Sequence, residues 1–235
     1  MRHVLLVLTR HTQLGGTGRL TGFHLADAAH PWRVFENAGY RVSLVSPHGG
    51  SPHPDGADVT DPVQMEFLND ASVAQQLANT LSPTDAIPEE YDAILYAGGH
   101  GAMWDFPMNV ALMAVTRSIY EAGGVVGAVG HGVSGLVNLT LSDGSYLVRG
   151  KKVTAFSNKE ELLVELGDVV PFPLESRLVE RGARYTSAPE FSPHVVVDGR
   201  LVTGQNPASA ADVGQAIVSS LCRLAQSANH DRGKD

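Results

Sequence analysis

Short apolar runs alternate along this chain with longer segments of helical period. The runs at 4–8, 41–46, 93–96, 125–129, 195–197 and 201–203 are aliphatic or β-branched and end near Gly, Pro or Asp, which predicts buried strands. Helical patterns lie between and after them, at 25–38, 72–80, 110–122, 133–139, 175–181 and 208–225. Near-continuous apolar strands alternating with helices predict an α/β sandwich, a mostly parallel sheet with helices on both faces. The stretch Pro47-His48-Gly49-Gly50-Ser51-Pro52-His53-Pro54-Asp55-Gly56 and its continuation to Asp61 read as loop. Two apolar runs flank Arg149-Gly150-Lys151-Lys152, so 146–156 is expected to form a small β-hairpin. The pattern fits one domain over 1–225, followed by a polar, frayed tail over 226–235.

Composition narrows the function classes. The formal net charge of -8, with no basic run longer than Lys151-Lys152, argues against nucleic acid as a partner. No segment approaches the roughly 20 apolar residues needed to span a bilayer, so no membrane association is expected. The first run, Val4 to Leu8, reads as a buried strand and not as a signal peptide, and the expected location is cytoplasmic. The single cysteine, Cys222, excludes an internal disulfide. It lies in an apolar helical stretch and is expected to be a buried structural thiol.

The most informative stretch runs from Val125 to Leu136, Val-Val-Gly-Ala-Val-Gly-His-Gly-Val-Ser-Gly-Leu. A buried strand, a sharp turn and a helix in that order project the turn residue above the sheet and present helix N-terminal amides to an anion. Gly130 occupies the turn, where φ above zero is expected and only glycine adopts it cheaply.

These residues resemble the elbow of the ThiJ/PfpI superfamily (class I glutamine amidotransferase-like), in its chaperone and glyoxalase III-like branch, with Gly130 where that family carries a catalytic cysteine. Further matches follow in order: Thr21-Gly22-Phe23 with Ala29-His30-Pro31, Gly98-Gly99-His100-Gly101 with Trp104-Asp105, Ser142-Asp143-Gly144 leading to Glu161, and Thr203-Gly204-Gln205-Asn206-Pro207. The resemblance spans about residues 4–224 and implies a flavodoxin-like fold. It also implies His131 as general acid and base, Glu161 as its orienting carboxylate and Asp27 as a second acid or base. Backbone amides at Gly99 and His131 are implied for an oxyanion. Substrate contacts are implied for Gly99, His100, Gly130, Gly132, His24 and Trp104.

Gly130 has no side chain, and the expected function follows from that. It is non-covalent lyase, hydratase or isomerase chemistry on a small carbonyl substrate, without cofactor and without normal glyoxalase III activity. Two alternatives stand beside it: a non-catalytic chaperone-like or ligand-binding protein, and an enzyme using a divalent metal such as zinc on His24, Asp27 and His100. His24 and Asp27 are three residues apart near a helix start and can share a face. Two histidines and a carboxylate make a facial ligand set with open positions. His30 is expected to pack or hydrogen-bond at the helix start, and His11 to lie on a loop at the same sheet edge. A homodimer is expected from the resemblance.

Overall fold

A computed structural model describes residues 1–232. The chain begins with β1 (His3–Val7), a two-residue strand β2 (Phe23–His24), helix α1 (Leu25–Asn37), β3 (Arg41–Val45) and the short β4 (Pro54–Asp55). Helices α2 (Pro62–Asn69) and α3 (Ala71–Ala78) follow, then β5 (Ala93–Tyr96), α4 (Ala102–Asp105), α5 (Val110–Glu121) and β6 (Val125–Val129). A 3-10 helix, Gly130–Leu136, leaves β6 directly. The second half holds β7 (Lys152–Val153), α6 (Asn158–Leu163), α7 (Leu174–Glu180), β8 (Arg184–Tyr185), β9 (Val195–Asp198), β10 (Leu201–Gly204) and α8 (Ala210–Arg232).

The central sheet has six strands in the order β3-β1-β5-β6-β10-β9, all parallel except the β9–β10 pair. Both faces are covered, as the apolar runs require. Leu5, Val7, Ile94, Tyr96, Val126 and Ala128 pack with α5 and the 3-10 helix on one side. Val4, Leu6, Ala93, Leu95, Val125 and Val129 pack with α1 and α8 on the other. This alternation follows from the period-two geometry of a strand buried on both faces. Because β1, β5 and β6 run in one direction, the loops after them gather at the carboxyl edge of the sheet, where open α/β sheets place their ligands.

The structure corrects several expectations. No hairpin forms over 146–156: β7 pairs in parallel with β8, thirty-two residues on, and the first apolar run turns into the core at Leu147 and Val148. The loop after β3 contains β4, which pairs with β2. Helix α2 lies in a region without a strong apolar period, although Asp61 caps it by accepting from the Val63 and Gln64 amides and Pro62 occupies its first turn. The final helix continues to Arg232, through most of the expected tail, and residues 233–235 lie outside the described residues. Cys222 is exposed on α8, with its Sγ 3.9 Å from Tyr40 Oη. Among the described residues, no helix is long and apolar enough to cross a membrane.

Candidate active site

Three segments converge at the carboxyl edge of the sheet. The turn after β6 supplies Gly130 and His131. The turn after β5 supplies Gly99 and His100. The β2–α1 junction supplies His24 and Asp27. Together they line a cavity of about 210 Å3, completed by Phe156, Val164, Phe191 and Pro207.

Close backbone approach builds this convergence. Gly130 has φ +55° and Gly99 φ +109°, both in the region that favours glycine. A Cβ on Gly99 would collide with the Gly22 carbonyl. A Cβ on Gly98 would strike the Asp27 carboxylate and lie 2.7 Å from the Val129 carbonyl oxygen. A Cβ on Gly130 would meet only Asp27 Oδ2, at 3.2 Å, so the space above this turn is open and bordered by that carboxylate.

His131 is buried, and its Nε2 lies 2.7 Å from Glu161 Oε2. The other carboxylate oxygen, Oε1, lies 2.9 Å from His100 Nε2, so one carboxylate holds two imidazoles. The two imidazole rings lie 4.0 Å apart, and Phe156 covers His131 at 4.4 Å. Burial pushes the Glu161 carboxyl up, but the hydrogen bonds from His100 and His131 outweigh it and hold the group at about 2. His131 moves in the opposite sense to a solvent-exposed paired histidine. Burial and the neighbouring His100 lower its pKa despite the pull of Glu161. A neutral His131 donating Nε2–H to Glu161 presents a lone pair at Nδ1. Among the described residues, His131 makes its side-chain hydrogen bond through Nε2.

Asp27 is 1% exposed and sits in the first turn of α1, where the helix dipole favours negative charge. Its Oδ1 lies 3.3 Å from His24 Nδ1, close enough to attract but without the alignment of a hydrogen bond, and both atoms lack other partners. Burial lowers the His24 pKa, and Asp27 with Asp55 more than compensates, so the net shift is upward.

Several expected site residues lie elsewhere. Trp104 does not line the cavity. The turn into α4 carries it to a separate surface cleft beside Pro47, His48 and Asp105, where it stacks on His11 at 5.0 Å. Gly132 also lies outside the cavity lining, and a Cβ there would fall 2.8 Å from the Ala97 carbonyl oxygen, so it serves close packing. The donors of His24, Asp27 and His100 do not gather into one ligand set, because His100 is turned onto Glu161. Among the described residues, the trio whose ligand atoms lie within 4.8 Å of one another is His100, His131 and Glu161. His30, expected to pack or hydrogen-bond on α1, does so, with its Nε2 2.6 Å from Asp61 Oδ2.

Sequence reasoning missed the apolar lining and the buried Glu160. The Ser157-to-Glu160 spacing is a capping-box signal that marked this helix start, and both reciprocal bonds are formed. Nothing in the local sequence marks Phe191.

The DJ-1/PfpI family matches residues 20–220. The chain belongs to the DJ-1/PfpI family. Rapid Encystment Protein 24 kDa of Francisella tularensis superposes with a TM-score of 0.91 at 41% identity, over 94% of this chain and 99% of that one. Glyoxalase 3 of Candida albicans is 31% identical, over 94% of this chain and 99% of its own length. A glutathione-independent glyoxalase of Schizosaccharomyces pombe is 35% identical, over 86% of this chain and 88% of its own length. These relatives overturn the expectation of a family member set apart from glyoxalase activity. The expectation rested on Gly130 alone, whereas relatives named for that activity match nearly the whole chain.

Proposed function

We propose that this protein converts a small 2-oxoaldehyde into a 2-hydroxy acid without glutathione. The observation that carries the reading is an imidazole and a buried carboxylate on one cavity. His131, tied to Glu161 through Nε2, and Asp27 both line it, and Asp27 borders the open space above Gly130. The names of the glyoxalase relatives support the same chemistry.

The net reaction needs no sulfur. A 2-oxoaldehyde in water adds water at its aldehyde carbon to give a hydrate, R–CO–CH(OH)2, which is an isomer of the acid R–CH(OH)–COOH. His131 Nδ1 removes the hydrogen on C1 as a proton. The electrons of that bond form a C1–C2 double bond, and the charge settles on the C2 oxygen. Amides at the start of the 3-10 helix lack intrahelical partners by geometry and suit such an oxyanion. Asp27 takes a proton from a C1 hydroxyl and delivers it to the C2 oxygen. His131, after exchanging this proton with solvent, protonates C2, and the C1 carbon is left as the carboxyl group. One proton leaves C1 and one reaches C2, and one moves from oxygen to oxygen, so atoms and charge balance. Glu161 stabilises the imidazolium formed in between and fixes the tautomer.

The test is conversion of methylglyoxal without glutathione, in deuterium oxide, followed by proton NMR. Lactate carrying solvent deuterium at C2 is expected, with formation abolished in His131→Ala. No lactate, or undiminished formation by His131→Ala, overturns the reading.

A further inference from the structure

The cavity lining is chemically divided. His24, Asp27, His100 and His131 form its polar part, whereas Phe156, Val164, Phe191 and Pro207 are apolar. Resting on the isomerase reading above, we propose that the site selects 2-oxoaldehydes bearing an aromatic or comparably bulky apolar substituent, seated against Phe156 and Phe191.

Phe191 is the residue that commits the wall to this purpose. It is 49% exposed, in a position where a polar residue would be at ease. Its backbone is left-handed, φ +58°, which non-glycine residues rarely adopt. The conformation is held from below. The Phe191 amide donates to Oε1 of Glu160, at 2.8 Å, and Glu160 is completely buried. The same oxygen accepts from Asn206 Nδ2, and that amide also donates to the Ser192 carbonyl. A buried carboxylate and the Asn206 amide bonded to it therefore pin the two sides of a strained turn whose side chain is an aromatic at the cavity edge. The Phe191 ring lies 6.3 Å from Phe156, which in turn covers His131, so the two rings extend from the acid–base group toward solvent.

Size agrees. A cavity of about 150 Å3 suffices for a benzene ring, and this one, at about 210 Å3, has room for a ring with a dicarbonyl head. A methyl substituent would leave the Phe191 wall without contact. Apolar contact remote from the reacting carbons positions the substrate and shows in kcat/KM.

The experiment compares initial-rate kcat/KM for phenylglyoxal and methylglyoxal in the wild type and in Phe191→Asn. Asparagine tolerates the left-handed backbone, so the turn is kept while the ring is lost. The wild type is expected to favour phenylglyoxal by about tenfold or more, and the variant to lose most of that ratio. Equal values in the wild type, or a ratio unmoved by Phe191→Asn, overturn the proposal. If neither aldehyde is turned over, the isomerase reading fails by itself. Calorimetric binding of mandelate against lactate then decides the wall: tighter mandelate, weakened by Phe191→Asn, upholds it, and equal affinities overturn it.

Discussion

Replacing Glu161 by Gln probes the assembly at its most connected point. The carboxylate accepts from His131 at 2.7 Å and from His100 at 2.9 Å. A glutamine has one oxygen and one NH2 group. Whichever imidazole faces the NH2 must move its own proton to Nδ1 and lose its basic face there. If the amide turns its oxygen to His131, the tautomer survives but the charge does not. A unit charge about 4 Å from the developing imidazolium is worth about 4 kcal/mol at an effective dielectric near 20. That corresponds to about a thousandfold in kcat, and retained hydrogen bonding brings the expected loss to about 10²–10³. The carboxylate also raises the His131 pKa against burial. Its removal therefore shifts the acid limb of the kcat/KM profile to lower pH while activity falls throughout. The assay is loss of the dicarbonyl at a series of pH values, with near-UV circular dichroism as the folding control. A folded Glu161→Gln protein within about threefold of the wild type, or an acid limb moved upward, would refute the reasoning.

Asp27→Asn should reduce kcat by about 10² or more through loss of the oxygen-to-oxygen relay, and an NMR titration of His24 should show its raised pKa falling as the carboxylate disappears. In the wild type, the active His131 is the neutral form and its pKa is lowered, so kcat/KM should hold as pH falls to 6.5 and decline only below it. Glu161 is depressed from 4.5 to about 2, so its contribution to stability is full above 4.5 and lost as pH falls through that window; acid melts should show stability decreasing there, less steeply in Glu161→Gln. Gly98→Ala forces a methyl group against Asp27 and the Val129 carbonyl. It should cost about 1–3 kcal/mol, a drop of roughly 2–12 °C in Tm, and a variant melting with the wild type would contradict the close packing described.

Legibility along the chain followed physical determinism. The central strands were readable because burial on both faces leaves only apolar residues at 93–96 and 125–129, and the structure matches those bounds. The left-handed turn at Gly130 was readable because few residues other than glycine fit there. The His131–Glu161 pair was implied by resemblance, and geometry brings the two within hydrogen-bonding distance. Trp104 misled because its place depends on how far α4 rotates the chain after the β5 turn, which no local pattern encodes. The 146–156 segment misled because its second arm finds a partner at Arg184–Tyr185, a pairing set by tertiary packing. Cys222 misled because one position on a long helix can face solvent while its neighbours Ile217 and Leu221 are buried.

Glu160 and Glu161 are consecutive on α6, a helix of six residues. One pins the Phe191 turn and the other orients His131. The support of the Phe191 wall and the orienter of His131 therefore share one short helix, while Asp27 is held separately on α1. Unwinding of α6 is expected to release both carboxylates together, removing the support of Phe191 and the orienter of His131 in one event. Amide exchange is expected to show Phe191 and Glu161 opening as one unit, with protection that falls together under denaturant.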